Sequence, residues 1–133
     1  MSKYIIIPLL NLLICQILKC LIESFKIKKF DVKRMLSGSG GMPSSHSMFI
    51  WSITTLIGMD EGINSSLFAF SLIVSFIICY DAMVVRKEVE NHSKALKKIT
   101  KENFKEEIGH TFLEVIIGSI LGIICAYLFN KLF

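Results

Sequence analysis

The sequence predicts an all-α fold: an integral membrane bundle of four transmembrane helices with a short amphipathic cytoplasmic helix. Three observations support this prediction. Of the 133 residues, 53% are hydrophobic and only 20% are charged, which is more apolar than an ordinary soluble domain. Four stretches have the roughly 17–25 mostly apolar residues that a transmembrane helix needs. Only Lys19, Asp81 and Glu114 place a charge inside these stretches.

The four predicted spans form a single membrane domain over residues 1–133. The first stretch could be mistaken for a signal peptide, but no small-residue cleavage site follows it, so a helix of the mature protein is expected. A soluble four-helix bundle would show a polar face on each helix, and apolar runs such as Ile5-Ile6-Ile7 show none. The approximate bounds of the spans are 4–22, 43–59, 64–85 and 108–130.

The basic residues predict the orientation of the chain. Loops 23–42 and 86–107 hold 12 of the 15 Lys and Arg residues, whereas the connection between the second and third spans holds none. Cytoplasmic loops carry the Lys and Arg excess, so both loops are expected inside and both termini outside a bacterial-type cytoplasmic membrane. The net charge of +4 fits an anionic inner leaflet. No nucleic-acid-binding motif is present.

Residues 86–100 either extend the third helix or lie on the membrane surface. Apolar positions there recur at alternating spacings of four and three, which is typical of an amphipathic helix. The stripe consists of Val85, Val89, His92, Leu96 and Ile99.

Cysteine and glycine positions add two further expectations. Cys15, Cys20, Cys79 and Cys125 lie in or near the spans without CxxC spacing or a nearby histidine set, so buried free thiols and no metal or cofactor are expected. The GxxxG of Gly118 and Gly122 predicts a close helix contact, either between two copies in a homodimer or within one chain.

The unusual polar residues of all four spans are expected at the cytoplasmic face. Ionisable groups inside spans are costly and by default indicate a functional site. With the predicted orientation, each span contributes at least one such group to this face. The residues are Lys19, Ser44, Ser45, His46, Asp81, Arg86, His110 and Glu114.

The stretch Gly-Gly-Met-Pro-Ser-Ser-His-Ser at 40–47 is typical of an anion site at a helix start. Free backbone N–H groups, the helix dipole and the hydroxyls of Ser44 and Ser45 can hold a phosphate, and Gly41 lets the backbone turn. His46 can transfer a proton. The alternative is a capped helix start with a hydrogen-bonded histidine.

His110 and Glu114 are four residues apart, so both are expected on one helix face. A carboxylate that accepts from one ring nitrogen fixes the tautomer and leaves the other nitrogen as a nucleophile or base. The alternative is a helix N-terminal turn with an incidental ion pair.

Three cations are candidates for binding phosphate: Arg86, Lys19 and Arg34. For Arg34 the alternative is a loop charge that sets topology, and Lys19 could instead extend its amine to the interface. Asp81 needs a partner at the end of a span, and Arg86 and Lys19 are the candidates.

Three segments, in this order and spacing, resemble the divergent branch of the type-2 phosphatidic acid phosphatase superfamily, also described as acid phosphatase/vanadium-dependent haloperoxidase-related. They are Gly-Gly-Met-Pro-Ser-Ser-His-Ser at 40–47, Tyr-Asp-Ala-Met-Val-Val-Arg at 80–86 and Gly-His-Thr-Phe-Leu-Glu-Val at 109–115. The resemblance covers nearly the whole chain. It implies that His110 attacks phosphorus, that Glu114 holds His110, that His46 protonates the leaving group, and that Ser44 and backbone amides hold phosphate oxygens.

The sequence departs from the superfamily pattern at two positions that bind phosphate. The first motif requires a Lys, six residues and then Arg-Pro, but here Met35 follows Arg34. The last motif has an Arg six residues before its histidine, and here that residue is Phe104. The branch is also expected to have glycine at positions 84 and 90 and proline at 112. This chain has Val84, Glu90 and Phe112.

Two functions are therefore compared. The first is a membrane phosphatase that hydrolyses a lipid-linked phosphomonoester or pyrophosphate through a phosphohistidine at the cytoplasmic interface. The alternative is a catalytically inactive membrane protein that binds an anionic lipid headgroup or a protein partner. The paired histidines favour the enzyme, and the missing cations favour the alternative.

Overall fold

The computed structural model describes residues 2–28 and 40–132, and every regular element in these ranges is helical. The predicted all-α fold class is therefore confirmed. One helical stretch of 35 residues, Ser66–Thr100, consists of two α-helices joined by a π-helical segment. The elements are α1 (Lys3–Ile27), α2 (Ser45–Glu61), α3 (Ser66–Tyr80), the π-helical segment (Asp81–Val85), α4 (Arg86–Thr100) and α5 (Phe112–Leu132).

The helices form a membrane bundle with α2 at its centre. Among the described residues, three helical stretches are long and apolar enough to cross a membrane: α1, the stretch Ser66–Thr100, and α5. The shorter α2 has 17 residues and packs against α1, α3 and α5. Large apolar side chains point outward from the bundle, as lipid contact requires, and on α1 they recur every fourth residue. Those on α1 include Leu9, Leu13, Ile17 and Leu21.

The interior of the bundle contains many small and polar side chains beside the apolar Ile7, Met48 and Leu56. The amide of Asn11 in α1 donates to the hydroxyl of Ser52 in α2 at 2.6 Å. The hydroxyls of Thr54 in α2 and Ser75 in α3 are 2.7 Å apart. Small residues let helix backbones approach closely in a membrane, and polar pairs of this kind contribute to helix association there.

The two glycines of the GxxxG motif face α2 of the same chain. A Cβ on Gly118 would lie 2.5 Å from the carbonyl oxygen of Ser44, and one on Gly122 would lie 2.4 Å from that of Met48. The intrachain alternative therefore describes the contact that this motif makes. A homodimer remains a prediction, and it would have to use a different face.

Helix α4 extends the third span, which was one of the two predicted alternatives. Its apolar stripe points away from the bundle, because Val85, Val89, Leu96 and Ile99 are all exposed. The opposite side of α4 faces the loop 101–111, which leads into α5.

At the end of the bundle that carries the N-terminus of α1, three helix ends are joined by polar contacts. The amine of Lys3 lies 2.7 Å from Oδ2 of Asp60 and donates to Oδ1 of Asn130 at 2.9 Å. His46 and His110 lie at the opposite end, which we call the histidine end. The fold thus separates a structural polar cluster from the candidate site.

Candidate functional site

His110 lies in the loop before α5 rather than on the helix, which corrects the sequence-based expectation. Helix α5 begins at Phe112, after the predicted start of the fourth span at 108. The backbone N–H of His110 donates to the carbonyl of Ala82 in the π-helical segment at 3.0 Å. A π-helical turn is wider than an α-helical one and is frequent at functional sites. Here the carbonyl of Ala82 accepts from the loop, which holds the backbone of His110 against this segment.

Glu114 reaches back from the first turn of α5 to two groups of the preceding loop. Its Oε2 accepts from the N–H of Thr111 at 3.0 Å, while the N–H of Glu114 donates to Oγ1 of Thr111 at 3.3 Å. This reciprocal pair is a capping box, which explains why the helix begins after Thr111. The same Oε2 lies 3.1 Å from Nδ1 of His110. The predicted contact between His110 and Glu114 is therefore present, although the two residues do not share a helix face.

The environment of His110 favours a neutral imidazole. The residue is only 5% exposed, and burial lowers its pKa, although the hydrogen bond with Glu114 opposes this shift. When Nδ1–H donates to Glu114, Nε2 keeps its lone pair. A neutral ring with a fixed tautomer can act as a nucleophile or as a base.

His46 is the second residue of α2 and is exposed. It lies within electrostatic range of His110 and Arg86, and also of Lys19 and Asp81. Side chains from α1, α2, the π-helical segment, α4 and the loop before α5 therefore meet at the histidine end. His46 and His110 were the two predicted proton-transfer and nucleophilic residues, and the fold brings them together.

The serines at the start of α2 are buried, whereas a phosphate-binding role requires hydroxyl groups that a ligand can reach. Ser44 is fully buried, and its hydroxyl accepts from the N–H of Ser47 at 3.4 Å and from the Ser47 hydroxyl at 3.0 Å. Ser45 is also buried. Ser44 thus acts as the N-cap of α2, which was the alternative interpretation of this segment. Gly41 has a φ of 118°, a conformation that favours glycine.

Two of the three predicted phosphate-binding cations lie at the histidine end. Lys19 is 8% exposed and has no carboxylate within ion-pair distance among the described residues, although the charges of Glu114 and Glu23 act on it. Arg86 donates through Nε to Oδ2 of Asp81 at 2.9 Å, which matches the partner expected for Asp81. Arg34 lies outside the described residues.

A cleft of about 340 Å³ lies beside the loop that carries His110. Glu114, which contacts His110, is one of the residues that line this cleft. Among the described residues, no group of three His, Cys, Asp or Glu side chains is arranged to hold a metal ion. The polar lining includes Glu23, Lys26, Gly41, Lys87, Glu90, Glu107, Thr111 and Glu114.

The role of Glu90 was not predictable from the sequence. Position 90 was noted only as a departure from the expected glycine, yet Glu90 is 5% exposed and accepts from the N–H of Gly109 at 3.1 Å. Thr111 and Glu114 are three residues apart, which is the spacing of a capping box, so the start of α5 was predictable from the sequence. The contact of Glu90 with Gly109 spans 19 residues, so no local spacing rule could have found it.

Comparisons with known proteins agree with the three motifs that meet at the histidine end. Residues 1–125 match the Divergent PAP2 family. The uncharacterized membrane protein YuiD from Bacillus subtilis (strain 168) is 30% identical in an alignment of 142 positions that covers 88% of this chain and 89% of YuiD. No solved structure matches the chain. The family match spans nearly the whole chain, including both histidines and Glu114, and on this basis the protein belongs to the divergent PAP2 family.

Proposed function

We propose that this protein is a membrane phosphatase that hydrolyses a lipid-linked phosphomonoester or pyrophosphate through a phosphohistidine at His110. The observation that carries the proposal is the 3.1 Å contact between Nδ1 of the buried His110 and Oε2 of Glu114. This contact directs the other ring nitrogen away from the carboxylate. Membership of the divergent PAP2 family supports a phosphatase-related role.

The proposed reaction has two steps. Nε2 of His110 attacks phosphorus, the bond from phosphorus to the leaving oxygen breaks, and His46 donates a proton to that oxygen. Water then attacks the phosphohistidine, His46 accepts a proton from it, and the P–N bond breaks to release phosphate. Lys19 and Arg86 stabilise the negative charge on the phosphoryl oxygens during both steps.

The proposal also assigns an orientation, with the histidine end in the cytoplasm and both termini outside. The excess of Lys and Arg in loops 23–42 and 86–107 supports this orientation. A lipid headgroup could then enter the site laterally from the inner leaflet.

The orientation can be tested by labelling introduced cysteines with a membrane-impermeant maleimide. Asn64→Cys, between α2 and α3, should be labelled in intact cells, whereas Glu102→Cys, in the loop before α5, should be labelled only after the cells are opened. The native thiols of Cys15, Cys20 and Cys79 are buried, and the partly exposed Cys125 is replaced by serine in both variants to keep the background low. The reverse labelling pattern would contradict the proposed orientation.

The activity is tested by phosphate release from purified protein in mixed micelles. The panel contains phosphatidic acid, phosphatidylglycerol phosphate, and a polyprenyl phosphate and pyrophosphate. We expect release from at least one substrate, its loss in His110→Ala, and wild-type release in His92→Ala, whose histidine is exposed on α4. The proposal fails if no substrate is hydrolysed or if His110→Ala is as active as the wild type.

A second function, binding of an anionic headgroup without hydrolysis, is favoured by the burial of Ser44. Its hydroxyl caps α2 rather than facing a ligand, and Phe104 occupies the position where the resemblance implies an arginine. In that case the same lipids would bind without phosphate release. Saturable binding with no turnover, unchanged in His110→Ala and weakened in Lys19→Met, would support this function over the phosphatase.

A further inference from the structure

Glu90 is the one buried residue of helix α4, whose other residues are exposed or partly exposed. Acidic side chains are rarely this buried unless they are paired. Both carboxylate oxygens of Glu90 accept hydrogen bonds. Oε1 accepts from the amine of Lys87 at 2.8 Å and from that of Lys94 at 2.6 Å. Both lysines lie on α4 itself, so these two pairs do not connect Glu90 to any other element.

Oε2 of Glu90 connects α4 to the loop before α5. Oε2 of Glu90 accepts from the backbone N–H of Gly109 at 3.1 Å and from that of Ile108 at 3.4 Å. Hydrogen bonds to a charged acceptor are roughly twice as strong as those between neutral groups. An exposed salt bridge alone would have little effect. The backbone contacts therefore distinguish Glu90 from an ordinary surface acid.

The contacts of Glu90 belong to a continuous attachment of three successive loop residues. Ile108 and Gly109 donate to Glu90, and His110 donates to the carbonyl of Ala82. Gly109 also packs closely on α4, since a Cβ there would lie 2.7 Å from Cα of Lys87. The loop thus has no side chain at the point of closest approach, and its N–H groups face the helix.

We propose that Glu90 is a positioning residue that fixes the backbone of the loop 108–110 and so sets the ring of His110 against Glu114. This inference rests on the proposed function and adds to it a residue that touches neither substrate nor phosphate.

The first test is amide hydrogen exchange on the purified protein in detergent. Glu90→Ala keeps a good helix former in α4 but removes the acceptor, whereas Glu90→Gln keeps one neutral oxygen. We expect exchange at Ile108 and Gly109 to speed up at least about tenfold in Glu90→Ala and less in Glu90→Gln. Glu88→Gln, an exposed acid of the same helix, is the matched control and should leave both amides unchanged. Unchanged exchange in Glu90→Ala would overturn the proposal whether or not the protein is a phosphatase.

The second test follows the imidazole of His110 by NMR. Its charged neighbours are Glu114 on α5, Lys19 on α1, Arg86 on α4 and His46 on α2. Loosening the loop exposes the ring, so the pKa of His110 should rise toward its ordinary value of 6.5 in Glu90→Ala. Glu88→Gln, the matched control, should leave the His110 titration unchanged. A His110 titration that is identical in Glu90→Ala and wild type would show that Glu90 does not position the ring.

Kinetics separate this inference from the proposed function. If phosphate is released, Glu90→Ala should lower kcat about tenfold or more with KM within twofold, and Glu90→Gln should recover part of kcat. An unchanged kcat in Glu90→Ala overturns the positioning role. If no lipid phosphate is hydrolysed, the proposed function fails, and the exchange and titration results alone decide whether Glu90 holds the loop and the ring.

Discussion

Gly118 of α5 lies against the backbone of Ser44, the residue that caps α2. A Cβ at Gly118 would be 2.5 Å from the Ser44 carbonyl oxygen and 3.1 Å from its nitrogen. The N–H of Ser44 in turn donates to the carbonyl of Glu114, one turn earlier in α5, at 3.1 Å. The first turns of α2 and α5 are thus fitted backbone to backbone. Because His46 follows Ser44 and His110 precedes Glu114, this contact sets the relative position of the two histidines.

A methyl group at Gly118 or Gly122 should therefore destabilise the bundle. Gly118→Ala and Gly122→Ala each force a Cβ onto a backbone carbonyl, which cannot move aside as a flexible side chain could. Overpacking of this kind costs typically about 1–3 kcal/mol. Thermal unfolding in detergent should show a lower Tm for both variants. The control is Ile120→Ala, because Ile120 is 50% exposed on the same helix.

Gly118→Ala should also affect the site more than Gly122→Ala. Gly118 contacts Ser44 directly, whereas Gly122 contacts Met48 one turn further from the histidines. Phosphate release measured below both transition temperatures should fall more in Gly118→Ala. Equal Tm values for the two glycine variants and Ile120→Ala would contradict the close packing.

The glycine pair illustrates how far the sequence could predict this structure. The spacing of Gly118 and Gly122 correctly indicated a close helix contact, but it could not name the partner helix. That choice depends on tertiary packing, in which α2 lies at the centre of the bundle. Apolar stretch length likewise predicted the helices well, because the bilayer sets the length of a span.

In the candidate site, too, contacts between residues close in sequence were predictable, whereas contacts between distant residues were not. The contact between His110 and Glu114 was predicted from their spacing, but the helix start was placed too early because the capping box at Thr111 was overlooked. The partnership of Asp81 and Arg86 was also predicted from nearby positions. By contrast, the attachment of Gly109 to Glu90 and of His110 to Ala82 joins residues far apart in the chain. Contacts between residues so far apart leave no periodic pattern in a single sequence, so they could not be predicted from it.

Substitutions of Glu114 should distinguish the effect of its contact with Thr111 from the effect of its contact with His110. Glu114→Gln keeps an oxygen for the N–H of Thr111, so the Tm should change little, but it removes the charge beside Nδ1 of His110. In the proposed reaction this carboxylate stabilises the ring as it gains positive charge, so kcat should fall by roughly 10²-fold or more. Glu114→Ala should in addition lose the cap, at a cost of about 1 kcal/mol. The measurements are phosphate release and thermal unfolding.

The control for this pair is Glu102→Gln, an exposed acid of the loop before α5. It should match the wild type in both measurements. A Glu114→Gln protein with full kcat would show that the carboxylate only caps α5, which was the alternative interpretation of this residue.

Lys19 should contribute to anion binding at the expense of stability. It is a buried cation without a carboxylate at ion-pair distance among the described residues. Removing a buried charge relieves a desolvation cost, so Lys19→Met should have an equal or higher Tm. The same change removes positive charge beside both histidines and should weaken inhibition by inorganic phosphate at least about tenfold. Lys98→Met, on the exposed part of α4, should leave both measurements unchanged. A lower Tm together with unchanged inhibition would show that Lys19 is structural.

The attachment of Glu90 predicts an acid-sensitive contribution to stability. Burial alone would raise the pKa of Glu90, but hydrogen bonds from Lys87, Lys94 and the N–H of Gly109 outweigh it and lower the pKa from 4.5 to about 2. Because the folded pKa is the lower one, the stabilisation is fully present above pH 4.5 and is lost as the pH falls toward 2.

Thermal unfolding of wild type and Glu90→Gln between pH 7 and 2.5 tests whether this stabilisation is lost as the pH falls. The variant does not titrate at position 90, so its Tm should lie below the wild-type value at pH 7, and the difference should shrink below pH 4.5. Other carboxylates titrate in both proteins and cancel in the comparison. A difference that stays constant down to pH 2.5 would mean that the charge of Glu90 does not stabilise the fold. The attachment would then rest on its neutral hydrogen bonds and on the packing of Gly109 against Lys87.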